Sequence, residues 1–217
     1  MLGKKPIDAF LNDARIAIDN ALAQPQIQTY LTEYGYTPEK LQQGKALYEA
    51  ALAAQQKQKR EYGEQYSATA ALNETWETAK ESYIRHIKIA RITFKNDPGA
   101  AAELALNGSR KRTLSAWLLE AKQFYQNILS NQGFLDAIAE YGITPAKLEG
   151  AKVEVEAVEA ANLSQKKEIG EAQDATKARD AVIEELSTWL SDFVVIARIA
   201  LEEQPQLIES LGILERS

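Results

Sequence analysis

Cysteine is absent from this chain of 217 residues, and histidine occurs only once, at His86. The lack of cysteine excludes disulfide bonds, thiolate metal sites and cysteine nucleophiles. A di-iron site in a helical bundle needs a Glu-x-x-His motif from each of two helices, and zinc and haem sites also draw on histidine. We therefore interpret His86 as a packed histidine, and we expect no metal site and no cofactor.

Helix breakers are also scarce, with 11 glycines and 6 prolines, whereas alanine, leucine, glutamate, glutamine and lysine dominate. This composition predicts an all-α chain. No hydrophobic run approaches the roughly 18 apolar residues of a membrane span, and the first residues lack the hydrophobic core of a signal peptide. We expect a soluble, cytoplasmic protein.

Catalytic motifs are missing as well. The sequence contains no Gly-x-Gly-x-x-Gly motif, no Walker loop and no Gly-x-Ser-x-Gly elbow. Its acidic residues are spaced as on a solvated helix face, so no pair of carboxylates stands out as an acid–base couple. We predict no catalytic residue and expect that the protein is not an enzyme.

Positive charge is in deficit, and the formal net charge is −6. The first 107 residues carry 13 basic and 13 acidic groups, whereas the rest of the chain carries 12 basic and 18 acidic groups. An acidic protein repels nucleic-acid phosphates at long range. We therefore expect no nucleic-acid partner.

What the chain does contain is a long internal repeat. Tyr-Gly-Tyr-Thr-Pro, which starts at Tyr34, returns 107 positions later as Tyr-Gly-Ile-Thr-Pro, and Ile-Ala-Arg-Ile, which starts at Ile89, returns at the same offset. Residues 27–98 align without a gap on residues 134–205, and 26 of the 72 positions are identical. A period of this length predicts two copies of one folding unit.

We place the two copies at residues 1–107 and 108–217. The predicted fold is all-α, an internally duplicated antiparallel helical bundle of two pseudo-equivalent units of about three helices each. Helix A of each copy is predicted at about Ile7 to Glu33 and Lys111 to Glu140, where apolar residues recur at helical spacing. Helices B and C follow in each copy, and we expect the two units to pack together as one bundle.

The Tyr-Gly-x-Thr-Pro segment predicts a tight turn between helices A and B. Gly35 and Gly142 suit a left-handed helix C-cap, which other residues adopt at a steric cost. The threonine that follows suits the next N-cap, and the proline suits the first helical position.

Two interpretations compete for the B–C segment of each copy. The polar stretch before Gly63 or Gly170 is either the tip of a hairpin or part of one helix of about 60 residues. Typical helix lengths favour the hairpin, whereas strong helix formers on both sides favour a continuous helix. We favour the hairpin.

Arg91 and Arg198 lie in matching apolar surroundings. An arginine there needs an acidic partner or a route to solvent. Glu33 and Glu140 are retained beside the turn in both copies, so we predict the structural ion pairs Arg91–Glu33 and Arg198–Glu140. The alternative is an exposed arginine that lies along the helix.

Tyrosine is enriched in the first copy, and this suggests a contact surface. Tyr62 and Tyr66 are spaced i, i+4 and would share a helix face, so we predict a possible contact patch for a protein partner there. The alternative is that these tyrosines are core or boundary residues with satisfied hydroxyls.

A basic triplet begins the second copy. Arg110, Lys111 and Arg112 precede Trp117, and basic residues near aromatic residues could contact anionic lipid or a phosphate group. The alternative is a solvated run of surface charge.

Several segments resemble a group of uncharacterised bacterial all-helical proteins. The resemblance rests on the Thr-Pro-x-x-Leu opening, the Ala-Thr centre and the segment from Ile196 to Ile213, and it covers most of each copy. It implies an all-helical fold and no activity. The repeat is also similar in length to spectrin-type three-helix repeats, but Asp97-Pro98-Gly99 argues against the continuous helix that joins those repeats.

Together these features favour a non-enzymatic helical scaffold or protein-interaction module, with an unknown protein partner or self-association. The alternative that follows from the basic triplet is a peripheral membrane or lipid-associated protein. A further alternative is a small apolar-ligand binder with a pocket between the two units.

Overall fold

The computed structural model describes residues 5–213, and over this range the chain is helical and contains no strand. The prediction of an all-α fold is confirmed. Over the same range, no helix combines the length and the apolar character that a bilayer crossing requires. The helices described are α1 Ile7–Ala23, α2 Pro25–Glu33, α3 Pro38–Thr93, α4 Pro98–Glu103, α5 Leu114–Ser130, α6 Gln132–Ala139, α7 Pro145–Ala200 and α8 Pro205–Ser210.

The order of the first four helices recurs in the second four. Each of α5 to α8 begins 107 positions after the corresponding helix of α1 to α4, and α3 and α7 both have 56 residues. We call two residues that are 107 positions apart counterparts. Each half of the described chain therefore has four helices, and the predicted number of about three is wrong.

The predicted helix A is two helices in each half. Gln24 is extended, with φ −108° and ψ 103°, because a proline disfavours the helical conformation of the residue before it. Asn131 is also extended, and its side chain caps α6 by accepting a backbone N–H. In the second half the first helix begins at Leu114 and not at Lys111.

The favoured hairpin is also wrong, because α3 runs through Gly63 and α7 runs through Gly170 without a break. A Cβ at either glycine would meet nothing within 4 Å, so no close approach requires glycine there. A mid-helix glycine costs about 1 kcal/mol relative to alanine, and the helix formers on both sides outweigh this cost.

The Tyr-Gly-x-Thr-Pro turn is confirmed in both halves. Gly35 and Gly142 have φ values of 79° and 74°, the left-handed conformation that glycine adopts without a steric penalty. The threonine hydroxyl in each turn accepts the backbone N–H three residues further on at 3.4 Å. The proline then begins the long helix.

The chain divides into two compact units. Unit 1 combines the chain up to Tyr62 with the chain from Glu171 onward, and unit 2 is Gly63–Gly170. Each unit thus contains one pair of helices from α1–α2 or α5–α6, a part of α3, a part of α7 and one short helix. The units cut across the predicted copies 1–107 and 108–217, because both long helices are shared between the units.

Each unit has its own hydrophobic core. In unit 1, α1 and α2 pack on the start of α3, the end of α7 and α8. In unit 2, α5 and α6 pack on the later part of α3, the start of α7 and α4. The largest side chains that are almost fully buried include Phe193, Ile18 and Leu41 in unit 1 and Tyr83, Phe124 and Tyr125 in unit 2.

Candidate functional site

A cleft of about 630 Å³ lies between α3 and α7 within unit 2. Helical spacing explains its lining, since residues three and four apart share one face of a helix. The spacing applies to both walls. The α3 wall presents Ser82, Arg85, His86, Lys88 and Ile89, and the α7 side presents Ile143, from the preceding turn, with Lys147, Gly150, Ala151 and Glu154.

Buried polar groups lie at the inner wall of the cleft. Ser82 is 8% exposed and His86 is 6% exposed. The His86 Nδ1 atom lies 3.0 Å from the hydroxyl of Tyr125, a fully buried residue of α5. The interpretation of His86 as a packed histidine is therefore confirmed, although the same residue also lines a cleft.

Burial controls the protonation of this pair. Burial, followed by the neighbouring charge of Arg85, lowers the pKa of His86 below its ordinary value. Burial also raises the pKa of the Tyr125 hydroxyl, and the nearby Glu154 carboxylate raises it further. At neutral pH the cleft therefore holds a neutral imidazole and a protonated phenol.

Positive charge dominates the outer part of the cleft. Arg85, Lys88 and Lys147 are exposed lining residues, and Glu154 is the acidic residue in the lining. The Arg85 Nη2 atom donates to the Ser82 hydroxyl at 3.4 Å, and the Lys147 Nζ atom donates to a backbone carbonyl at 2.8 Å. Each cation has further N–H donors, which can bind an anion.

Glu154 is the least satisfied group in the cleft. Its Oε2 atom is buried, and within the described residues it has no hydrogen-bond partner. A buried polar oxygen without a donor is costly, and more so when it is charged. The counterpart of Glu154 is Leu47, so the shared helical arrangement does not require a carboxylate here.

The counterpart region of unit 1 is filled by aromatic rings. Trp189 and Phe193, the counterparts of Ser82 and His86, stack with ring centroids 5.3 Å apart and an interplanar angle of 10°. The ring of Tyr36 packs on both, with centroid distances of 5.8 Å and 5.5 Å. These rings stand at the positions that Ile143, Ser82 and His86 hold in unit 2.

A glycine makes room for this aromatic group. A Cβ atom added at Gly44 would lie closer to the Trp189 Cη2 atom than real contacts allow. The counterpart of Gly44 is Ala151, which faces a cleft lined by Ser82 in place of the tryptophan. Gly44 with Trp189 in unit 1, and Ala151 with Ser82 in unit 2, are therefore two matched pairs: a large side chain faces glycine in one unit, and a small side chain faces alanine in the other.

Unit 1 has a cleft of about 590 Å³ beside the Trp189 ring. Three of its lining residues, Leu47, Trp189 and Asp192, are the counterparts of Glu154, Ser82 and Arg85 in the unit 2 cleft. Its charged lining residues are Glu184, Glu185 and Asp192, all of them acidic. Asp192 is the counterpart of Arg85, so the sign of the charge is reversed between the two clefts.

The polar side chains of the unit 2 cleft do not form a nucleophile–base pair or a zinc site. No hydrogen bond joins the described side chains of Ser82 and His86, so they do not form a nucleophile–base pair. The lining offers one imidazole and one carboxylate, fewer than the three or four ligands of a protein zinc site.

The Arg91 guanidinium donates hydrogen bonds to two backbone carbonyls. Its Nε atom donates to the Leu106 carbonyl at 2.8 Å, and its Nη2 atom donates to the Gly108 carbonyl at 3.0 Å. Arg91 belongs to unit 2 and Glu33 to unit 1. The ion pairs Arg91–Glu33 and Arg198–Glu140 would each join residues of different units, and they stay predictions.

The two predicted surface patches have different outcomes. Tyr62 is 38% exposed and Tyr66 is 68% exposed, and because they belong to different units their joint contact patch stays a prediction. Trp117 is only 3% exposed, and its ring lies 5.9 Å from the ring of Tyr83 in the core of unit 2.

Trp117 is therefore not available for the predicted lipid or phosphate contact. Arg110, Lys111 and Arg112 are exposed in the segment before α5. The basic triplet and this tryptophan do not form one surface, because an apolar ring at helical spacing is more stable in the core than in water.

Sequence reasoning missed the cleft residues. A signal for them exists in the aligned copies, where Trp189 and Phe193 are replaced by Ser82 and His86. Two large core residues that become small or polar in the other copy indicate a space that is no longer filled by the protein itself.

No model of a known protein family matches the chain, and comparisons with curated proteins and with solved structures find no similar protein.

Proposed function

We propose that this protein is a non-enzymatic helical module that binds a small molecule through its anionic group in the unit 2 cleft. The observation that carries the proposal is the contrast between this basic cleft and the cleft of unit 1, whose charged lining residues are acidic and whose wall includes the Trp189 ring. The helical scaffold expected from the sequence then serves to position the cleft.

The size and charge of the cleft support this function. A volume of about 630 Å³ lies within the range of small-molecule sites, which combine apolar walls with a few polar groups. Three cationic side chains against one carboxylate give a local positive potential, which attracts anions and speeds their association. This potential is local, since the chain as a whole is acidic.

We also infer that the two halves descend from one duplicated unit. The identical residues at the 107-residue offset support this inference, and so does the matching start of every helix in the two halves. On this interpretation the acidic cleft of unit 1 and the basic cleft of unit 2 are divergent forms of one arrangement.

A cleft-filling variant tests the function. The triple substitution Ser82→Trp, His86→Phe and Ala151→Gly places the unit 1 residues in unit 2, so it fills the cleft while keeping a packing solution that the chain already uses. Thermal unfolding and isothermal calorimetry would be measured with phosphate, citrate, octanoate and, as a cationic control, octylamine. We expect at least one anion to bind the wild-type protein and to lose binding in the triple variant.

Matched charge removals separate the cleft from general surface effects. Arg85→Gln removes a cation inside the cleft, whereas Lys95→Gln removes an exposed cation of unit 2 outside it. We expect only Arg85→Gln to weaken anion binding. Equal binding by the wild-type and triple-variant proteins, or no binding of any anion in the panel by either, would contradict the proposed function.

A further inference from the structure

We infer that the ligand of the unit 2 cleft is a zwitterion, an amino acid with an apolar side chain, whose ammonium group binds Glu154 and whose carboxylate binds Arg85. This inference rests on the proposed function and deepens it, since it names the ligand class. Three features of the cleft carry it, namely an unpartnered buried carboxylate oxygen, a cationic group with unused donors and an apolar wall.

Glu154 calls for a hydrogen-bond donor from outside the protein. A carboxylate accepts hydrogen bonds and donates none, and the buried Oε2 atom accepts none from the described residues. Two neighbouring side chains have other hydrogen-bond partners. The His86 imidazole pairs with the Tyr125 hydroxyl, and Arg85 donates to the Ser82 hydroxyl. A ligand ammonium group would supply a donor and a compensating charge together.

Fold requirements do not account for a carboxylate at this position. Leu47, the counterpart of Glu154, lines the unit 1 cleft beside Trp189, so an apolar residue is compatible with the same place in the helix pair. Burying part of a carboxylate in the free protein is unfavourable, and a charged partner in the bound state removes this penalty.

Arg85 and its neighbours suit the other end of a zwitterion. The planar guanidinium can hold a carboxylate through two parallel hydrogen bonds, whereas a lysine acts as a point charge. One Arg85 donor contacts Ser82, and the remaining donors of the fork can face the cleft. Lys88 and Lys147 add positive charge along the same opening.

An apolar wall completes the site. Ile89 is half-buried, and Ile143 and Ala151 are buried, yet all three line the cleft. An apolar ligand side chain that covers them gains about 25 cal/mol per Å² of apolar surface removed from water. The cleft therefore offers a separate place for the anion, the cation and the apolar part of one molecule.

Three matched probes test the inference on the full-length protein. L-Leucine carries both charged groups, 4-methylpentanoate lacks the amine, and 3-methylbutan-1-amine lacks the carboxylate. Calorimetry should show that leucine binds the wild-type protein at least tenfold more tightly than either analogue. In the Glu154→Gln variant the preference for leucine over 4-methylpentanoate should disappear, and Arg85→Gln should weaken the binding of both acids.

The possible results distinguish this inference from the proposed function. If 4-methylpentanoate binds as tightly as leucine and Glu154→Gln changes neither, the zwitterion inference is overturned while anion binding stands. If leucine does not bind although 4-methylpentanoate or one of the other anions does, the same conclusion follows. Near-ultraviolet circular dichroism of each variant, compared with Lys95→Gln, checks that a loss of binding does not come from a loss of packing.

Discussion

Unit 1 and unit 2 are each built from counterpart helices, and they differ where α3 and α7 face each other. In unit 1 the rings of Tyr36, Trp189 and Phe193 fill this region. In unit 2 the counterpart of the tryptophan is Ser82, the counterpart of the phenylalanine is His86, and a cleft remains. The difference shows that the helical framework tolerates an open region, so the groups that line it are available for binding.

The largest expected difference in stability between the units comes from truncating a buried ring of unit 1 and its counterpart in unit 2. Phe193 is fully buried, so Phe193→Ala removes a large apolar side chain and leaves a cavity. We expect the free energy of unfolding to fall by about 3–5 kcal/mol. The counterpart substitution, His86→Ala, should cost clearly less because it enlarges a cleft that is already open. Urea denaturation of both variants measures the two effects, and equal losses would contradict the comparison.

We expect a smaller loss of stability when a methyl group is added in unit 1. Gly44→Ala places a Cβ atom against the Trp189 ring, so the ring or the helix must move. We expect a destabilisation of about 1–3 kcal/mol by urea denaturation.

The matched control for this prediction is Gly63→Ala. Gly63 lies within α3 with nothing near its Cβ position, so alanine should stabilise the protein by about 1 kcal/mol. This control also tests the continuous long helix, because a glycine in a turn would not give that gain. A neutral Gly44→Ala variant would show that the tryptophan does not occupy the position described.

Exchanging Glu154 for its counterpart residue should stabilise the free protein. Glu154→Leu removes a buried oxygen that lacks a partner, so we expect the free energy of unfolding to rise by about 1 kcal/mol. Binding of an amine-bearing ligand should fall in the same variant. A destabilised variant would show that the carboxylate already has a partner in the free protein, and thermal unfolding with and without L-leucine measures both effects.

The smallest expected effect is a change in how the stability of the protein depends on pH when His86 is replaced. His86 faces Arg85, Lys147, Glu154 and the Tyr125 hydroxyl. Burial and then Arg85 lower its pKa in the folded protein, whereas Glu154 acts in the opposite direction. The unfolded chain therefore binds more protons at His86 than the folded protein does, once the pH falls below the ordinary histidine pKa of about 6.5.

The contribution of His86 to stability is consequently complete above about pH 6.5 and is lost as the pH falls from there toward its folded pKa. One proton can change the slope by at most about 1.4 kcal/mol per pH unit. Relative to His86→Phe, the wild-type protein should lose more stability between pH 7.5 and pH 5. Parallel stability curves for the two proteins would show that this histidine titrates normally.

Much of the local structure could be predicted from the sequence, since short-range chemistry determines it. The glycine and proline of each turn specify one conformation, and the apolar periodicity of α1 and α5 specifies a buried face. The break at Gln24 could also have been predicted from the proline that follows it. The prediction that Trp117 contacts lipid or phosphate is wrong, because its helical spacing places it on the buried face of α5 although basic residues precede it in the sequence.

The rest depends on contacts that are distant in the sequence. Near Gly63 and Gly170 the local signals oppose each other, because the flanking helix formers favour a continuous helix whereas typical helix lengths favour a hairpin. The cleft depends on pairs such as Ser82 with Ala151, and the filled region depends on Trp189 with Gly44. Each pair joins one residue of α3 and one of α7, so its effect depends on how these two helices pack.

The contrast between the two clefts can be measured by the reactivity of one engineered thiol at a time, because the chain has no cysteine of its own. Ser82 lines the basic cleft and Thr188 lines the acidic cleft, so Ser82→Cys and Thr188→Cys place a thiol in each. A thiolate attacks a methanethiosulfonate reagent, forms a disulfide and releases methanesulfinate, and the reagent can carry either a sulfonate or a trimethylammonium group. Each rate would be divided by the rate of the same reagent with a small free thiol.

A local potential of either sign changes the concentration of a charged reagent at the thiol. We predict that the Ser82→Cys variant reacts faster with the sulfonate reagent and that the Thr188→Cys variant reacts faster with the trimethylammonium reagent. Added salt should reduce both preferences. An unreactive Ser82→Cys variant, or the same charge preference in both variants, would contradict an open, positively charged cleft in unit 2.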